Sequence, residues 1–266
     1  MTASAIALRT DYSAFLESLS AARERVLLLD YDGTLAPFTA ERSRARAYPP
    51  VPRLLSSIMN GCRTRVVMIT GRSARDLSGL LGLDPHPEIW GSHGLERLTP
   101  NGTHEIARIP EQGRAALQAA FDSCVRAGMD RFVEQKPGCL ALHWRGLRPE
   151  AVEAVRTFGY RILAPLACRA LLLLSEFDGG MELRARSCNK GHAVRSILAE
   201  TDPESPVAYL GDDLGDEDAF RALEGRGLTV LVRPEYRPTD AQLWLRPPGE
   251  LMQFLRDWID ACGGVA

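Results

Sequence analysis

The 266-residue chain exceeds one ordinary compact domain and falls short of two, which favours a single core carrying a sizeable insertion. Its formal net charge of -2 and ordinary apolar content provide no broad cationic field, so neither nucleic-acid nor membrane binding is expected. Six cysteines (Cys62, Cys124, Cys139, Cys168, Cys188 and Cys262) include no C-x-x-C pair, which argues against zinc and small disulfide frameworks and leaves buried free thiols as the expectation.

The N-terminal stretch Met1 to Ser20 lacks a basic start followed by an apolar segment, and no run of about 18 apolar residues occurs anywhere. A cytoplasmic monomer is expected. Val26 to Leu29 is the first of four short apolar runs, bounded by polar or Gly residues and too short for a helix; the others are Val66 to Ile69, Val207 to Leu210 and Leu228 to Val232. Apolar residues on both faces suit central strands of a parallel sheet covered by helices. The Arg- and Pro-rich stretch Glu41 to Pro52 reads as a loop, while Ala74 to Leu81 and His192 to Leu198 carry helical patterns. Between these halves, Glu111 to Arg184 reads as helix, two strands, helix and two strands. Pro137-Gly138 separates Phe132 to Lys136 from Cys139 to Trp144, and Asp178-Gly179-Gly180 separates Leu171 to Ser175 from Met181 to Arg184. The fold expected is α/β, a Rossmann-like parallel sheet core over 1–108 and 186–266, with an inserted α+β cap, or lid, over 109–185.

The chemistry collects where strands end, the place at which open α/β sheets bind ligands. Asp30-Tyr31-Asp32-Gly33-Thr34 sets two carboxylates two residues apart, an unfavourable pair unless a cation neutralises them. Hard oxygen ligands favour Mg²⁺. One carboxylate can attack phosphorus while the other shuttles a proton to the leaving oxygen. Thr70-Gly71-Arg72-Ser73 follows the second strand, with Ser73 and Asp76 spaced as a capping box, and a hydroxyl beside free backbone N–H groups makes a phosphate seat. Lys190 begins a helix after Asn189, a helix N-cap; its charge opposes the helix dipole, so it is either a surface lysine or one with an anionic partner. Asp212-Asp213-Leu214-Gly215-Asp216-Glu217-Asp218 packs five acids into seven residues after a strand. Helix capping accounts for the later acids but not for Asp212 and Asp213, so Asp212 is assigned to a metal, with Asp213 and Asp216 orienting the ligands or Lys190.

These segments, in this order, resemble the four motifs of the haloacid dehalogenase superfamily of phosphohydrolases. Together, Leu-Asp-Tyr-Asp-Gly-Thr-Leu-Ala-Pro (29 to 37), Ile-Thr-Gly-Arg (69 to 72), Gly-Ser-His-Gly-Leu-Glu (91 to 96), Asn-Lys-Gly (189 to 191) and Gly-Asp-Asp-Leu-Gly-Asp-Glu-Asp-Ala-Phe (211 to 220) resemble trehalose-6-phosphate phosphatases over nearly the whole chain. The resemblance implies Asp30 as nucleophile, Asp32 as general acid/base, and Thr70 and Lys190 as phosphate holders. It implies a metal on Asp30, the backbone carbonyl of Asp32, and Asp212. Arg72 joins the substrate-binding set, as do Glu134, Lys136 and Glu182, which on residue type alone are polar side chains on strands. His93 and Glu96 belong to the same substrate-binding set and are expected near the lid hinge. Gly215 stands where the family usually carries Thr, and the 41–52 stretch is unusually rich in Arg.

The function expected is Mg²⁺-dependent hydrolysis of trehalose 6-phosphate through an aspartyl-phosphate. Rivals are the same chemistry on sucrose 6-phosphate, glucosylglycerol phosphate or a glycosyl-3-phosphoglycerate, and a regulatory module without turnover. The intact Asp30, Asp32, Lys190 and Asp212 argue against the last.

Overall fold

The four apolar runs become strands buried on both faces. The computed structural model describes residues 6–7, 11–39, 44–169, 172–177, 179–186 and 189–264. Residues 1–5 and 8–10 of the N-terminal stretch, 41–43 of the expected loop, Leu171, Asp178 and Cys188 lie outside them. The chain forms two units, Met1–His104 with Asn189–Ala266, and Glu105–Cys188.

The first unit begins with β1 (Ile6–Ala7), α1 (Tyr12–Ala21), β2 (Arg25–Leu29), α2 (Val51–Gly61), β3 (Thr64–Ile69), α3 (Ala74–Leu81), β4 (Glu88–Gly91) and β5 (Glu96–Leu98), and β6 (His104–Ile106) crosses the junction. In the second unit lie α4 (Glu111–Arg126), β7 (Val133–Lys136), β8 (Cys139–His143), α5 (Pro149–Arg169), β9 (Leu172–Phe177) and β10 (Gly180–Ala185). The first unit resumes with α6 (Lys190–Ala199), β11 (Val207–Gly211), α7 (Glu217–Leu223), β12 (Leu228–Val232), β13 (Leu243–Leu245) and α8 (Gly249–Ala261). Val51 and Pro52 thus start a helix rather than end a loop. Proline is well placed there, because the first-turn N–H it lacks has no intrahelical partner.

Among the described residues, the strands of the first unit form a nine-stranded sheet in the order β1-β13-β12-β11-β2-β3-β4-β5-β6. Pairing is parallel from β13 through β4 and antiparallel at β1/β13 and β4/β5. Successive side chains of β2 enter opposite cores, as the period of two requires. Leu27 and Leu29 join residues of α2 and α8 such as Leu55, Ile58, Phe254 and Trp258. Val26 and Leu28 join Val194 and Ile197 of α6 and Phe220 of α7. Because β2 lies between β11 and β3, the residues following these three parallel strands emerge side by side at their carboxyl ends.

The second unit contains an antiparallel sheet, β7-β8-β10-β9. Its register sets Glu134 and Glu182 on either side of Ala141, and Lys136 and Arg184 on either side of Cys139. These residues alternate with buried Leu140, Leu142, Met181 and Leu183, so they share the opposite face. Cys62, Cys124 and Cys139 are buried free thiols, but Cys168 is exposed, near the end of α5 rather than inside a core.

Candidate active site

Asp30 continues the β2 ladder, its N–H donating to Leu210 O at 2.9 Å. This places it against the end of β11, where Asp212 follows Gly211. Asn189 caps α6 by accepting from the His192 N–H at 2.7 Å, which sets Lys190 on the first helical turn. The Lys190 ammonium lies 2.7 Å from both Asp30 Oδ1 and Asp216 Oδ1 and is almost fully buried. Asp216 is completely buried and accepts from four groups: Lys190 Nζ at 2.7 Å, Tyr209 Oη at 2.6 Å, and the N–H groups of Asp212 and Asp213 at 3.0 and 2.9 Å. Thr34 bridges the two strand ends, its hydroxyl lying 3.4 Å from Asp30 Oδ2 and 3.1 Å from Asp212 Oδ1. Gly33 turns the chain at φ +88°, and a Cβ there would stand 2.3 Å from Asp212 Oδ2.

Burial governs the charges. It pushes the Asp30 carboxyl up to about 7, against the pull of Lys190 and with the help of Asp216. Asp212 is raised well above the usual carboxylate range by burial first, then by Asp30 and Asp216. For Asp216 burial is the largest single influence and acts upward, but Lys190, the Tyr209 hydroxyl and the Asp213 N–H together hold the carboxyl below its ordinary value. Burial would lower the Lys190 pKa, yet Asp216 and Asp30 overcome it and keep the amine protonated. One lysine thus faces more buried carboxylates than it can neutralise.

The site fits a divalent cation. Carboxylate oxygens of Asp30, Asp212 and Asp216 lie within 4.8 Å of one another. Asp212 Oδ2 is buried without a hydrogen-bond partner, a costly condition that a bound cation removes. Asp216, with both oxygens already engaged, orients its neighbours; Asp30 and Asp212 have the capacity to ligate. Asp213 starts a short turn by accepting from the Leu214 N–H at 2.7 Å. At Gly215 a Cβ would meet nothing within 4 Å, so the position has room for a larger side chain.

On the other side of β2, Arg72 grips Asp32 with two bonds of 2.6 Å, from Nε to Oδ2 and from Nη2 to Oδ1. Thr70 is buried, and its hydroxyl accepts from the Arg72 N–H at 3.1 Å. The next loop braces this turn: the Ser92 N–H donates to Arg72 O at 2.7 Å and the His93 N–H to Thr70 O at 2.9 Å. Ser92 and His93 both adopt left-handed backbone, φ 48° and 57°, a strained pair of the kind kept at functional sites. The His93 ring covers Gly71, where a Cβ would lie 2.7 Å from Cε1. Glu96 is buried with Ser92 Oγ on one oxygen and His104 Nε2 at 3.0 Å from the other. Arg72 and Glu96, expected to touch substrate, are therefore engaged within the protein; Glu96 braces the turn that supports Thr70.

In the second unit, Glu134 Oε2 lies 2.8 Å from His143 Nε2 and 3.6 Å from Lys136 Nζ. Arg184 Nε stands 3.2 Å from Glu182 Oε1. His143 and Arg184 extend the polar group expected from Glu134, Lys136 and Glu182. The signal for Arg184 was the strand period, which puts positions 182 and 184 on one face.

The Trehalose-phosphatase family model matches residues 28–244. The chain belongs to this family. It is 30% identical over 254 residues to the trehalose-phosphate phosphatase of Mycobacterium leprae, an alignment covering 88% of this chain and 57% of that one. It is 29% identical over 259 residues to an uncharacterized glycosyl hydrolase of Mycobacterium tuberculosis, covering 90% of this chain and 18% of that protein. The chain thus spans only part of the length of the curated relatives it matches. A solved trehalose-6-phosphate phosphatase of Aspergillus fumigatus superposes with a TM-score of 0.67 at 25% identity, covering 97% of this chain and 99% of the other. The trehalose-phosphatase family implies a divalent metal, in keeping with the carboxylate cluster. No helix among the described residues is long and apolar enough to cross a membrane.

Proposed function

We propose that this protein hydrolyses trehalose 6-phosphate to trehalose and inorganic phosphate, using Asp30 as nucleophile and Mg²⁺ as cofactor. The observation that carries the reading is the convergence of Asp30, Lys190 and the acids of the 212–216 loop at adjacent strand ends, where one buried oxygen of Asp212 has no hydrogen-bond partner. In the first step a carboxylate oxygen of Asp30 bonds to phosphorus as the ester P–O bond breaks, and Asp32 gives its proton to the leaving sugar oxygen. In the second, water attacks the phosphorus of the aspartyl-phosphate and delivers a proton back to Asp32, while Asp30 leaves as the carboxylate. Lys190 and Thr70 hold the phosphoryl oxygens. Asp30, the backbone carbonyl of Asp32, and Asp212 would hold the metal, which supplies positive charge against the phosphate dianion. Arg72 keeps Asp32 in place between turnovers through its paired bonds. The Met1–His104/Asn189–Ala266 unit is the catalytic one.

Glu134, Lys136 and Glu182 read the sugar: carboxylates accept from its hydroxyls and the ammonium donates to its oxygens. His93 serves beside the phosphate turn. The test is phosphate release from a panel of trehalose 6-phosphate, sucrose 6-phosphate, glucosylglycerol phosphate and a glycosyl-3-phosphoglycerate with Mg²⁺. The highest kcat/KM is expected on trehalose 6-phosphate; a higher value on another member reassigns the substrate, and no release from any removes the enzymatic reading.

A further inference from the structure

The backbone of the acidic loop is gripped from behind by an arginine that lies in no motif. Arg237 follows β12 in the sequence, and its guanidinium donates through Nε to Asp212 O at 3.3 Å and through Nη2 to Asp213 O at 2.8 Å. Its Nη1 bonds to Glu217 Oε1 and to Pro238 O at 3.0 Å. Arg233 adds a weaker contact to the same Asp212 carbonyl at 3.4 Å. Glu217 is itself fixed, accepting from Thr239 Oγ1 and the Asp240 N–H at 2.8 Å each. The side chains of Arg237 and Glu217 are 15% and 11% exposed. The planar fork is therefore held on one side by an anchored carboxylate and holds two consecutive carbonyls on the other, an arrangement open to guanidinium but not to a point charge.

We infer that Arg237 is a positioning residue for the metal: it fixes the peptide units of Asp212 and Asp213 so that Asp212 Oδ2 meets the cation in a preset direction. The inference rests on the assignment of Asp212 as a metal ligand, and Arg237 touches neither metal nor substrate. Removing Arg237 has two effects of opposite sign. Loss of a positive charge near the site strengthens cation binding, whereas loss of the clamp frees the ligand loop and weakens it. The second dominates, because the Arg237 charge is already compensated by its contact with Glu217, and lost outer partners of metal ligands typically reduce affinity about 10- to 100-fold.

Direct Mn²⁺ binding to the metal-stripped 266-residue protein, followed by electron paramagnetic resonance, reads this without turnover. Arg237→Ala is expected to bind Mn²⁺ at least about 10-fold more weakly, with the melting temperature in chelator reporting its fold separately. Arg237→Lys keeps the charge and loses the fork, and serves where the alanine variant does not fold; it too is expected to bind more weakly. Wild-type or tighter affinity in a folded Arg237→Lys or Arg237→Ala protein would overturn the inference. Wild-type protein that bound no Mn²⁺ would instead remove the metal assignment on which it stands, and with it the inference.

Discussion

Replacing Asp216 by asparagine keeps the shape of a fully buried side chain and removes its charge. Oδ1 of Asp216 accepts from Lys190 Nζ and Tyr209 Oη, and Oδ2 from the N–H groups of Asp212 and Asp213. A carboxylate satisfies all of these donors, but an amide offers one oxygen and one NH₂. Whichever way the amide turns, its NH₂ faces either the ammonium and the phenol or two backbone N–H groups. Two hydrogen bonds are lost, each worth about 1.5–3 kcal/mol because the acceptor is charged. The Tyr209 hydroxyl can turn to accept from the NH₂, recovering about 1 kcal/mol. Lys190 is left with only Asp30 to balance its buried charge. The expected loss of stability is about 3–5 kcal/mol, the range for breaking a buried ion pair. Urea unfolding of the metal-free proteins by circular dichroism measures it. Asp213→Asn is the comparison, since asparagine caps the turn as well as aspartate does, and its cost is expected below about 1 kcal/mol. A loss below about 1 kcal/mol for Asp216→Asn would refute the view that this carboxylate organises Lys190 and the 212–213 backbone.

Three further outcomes follow from the same geometry. Stability of the metal-free protein should fall as pH rises from about 6 to 8: the Asp30 pKa near 7 lies above its unfolded value, so the folded state holds the extra proton below that pH and loses the benefit as it ionises. The drop is about 1 kcal/mol across this window, and Mg²⁺ should abolish it; urea midpoints independent of pH in chelator would contradict the charge account. Gly33→Ala should both strain a left-handed turn, by about 1–2 kcal/mol, and displace Asp212, which its Cβ would approach to 2.3 Å. Metal activation at wild-type Mg²⁺ concentrations would show that Asp212 is not in the site. Lys136→Ala and Glu182→Ala should lower kcat/KM on trehalose 6-phosphate by about 10-fold or more each while leaving p-nitrophenyl phosphate hydrolysis nearly unchanged. Equal losses on both substrates would assign these side chains to the fold instead.

The central strands were legible because strands buried on both faces must be apolar throughout, and the chemistry-bearing residues because they follow those strands directly. The start of helix α2 was not, since the Arg- and Pro-rich composition of 41–52 suggests a loop although Pro52 sits in the first turn, where proline is favoured. The bridging role of Thr34 depends on a partner 178 positions away, a separation that no local pattern encodes. Arg72 and Glu96 enter the substrate-binding set only through the family resemblance. Only the packing reveals that Asp32, Ser92 and His104 already engage them. Arg237 carried no signal at all, because its task is to hold carbonyl oxygens, which every sequence has. The exposure of Cys168 shows the converse limit: the burial habit of a residue type yields to its place on a helix.

The central claim is that Asp30 attacks phosphorus, and phosphate release from trehalose 6-phosphate by wild-type and Asp30→Asn proteins under saturating Mg²⁺ tests it most directly. The amide retains the size of the carboxylate and cannot serve as the nucleophile, so the variant should fold, as read by circular dichroism, and release phosphate at least about 10³-fold more slowly, a barrier increase of about 4 kcal/mol. A folded Asp30→Asn protein that kept a substantial fraction of wild-type turnover would contradict the account.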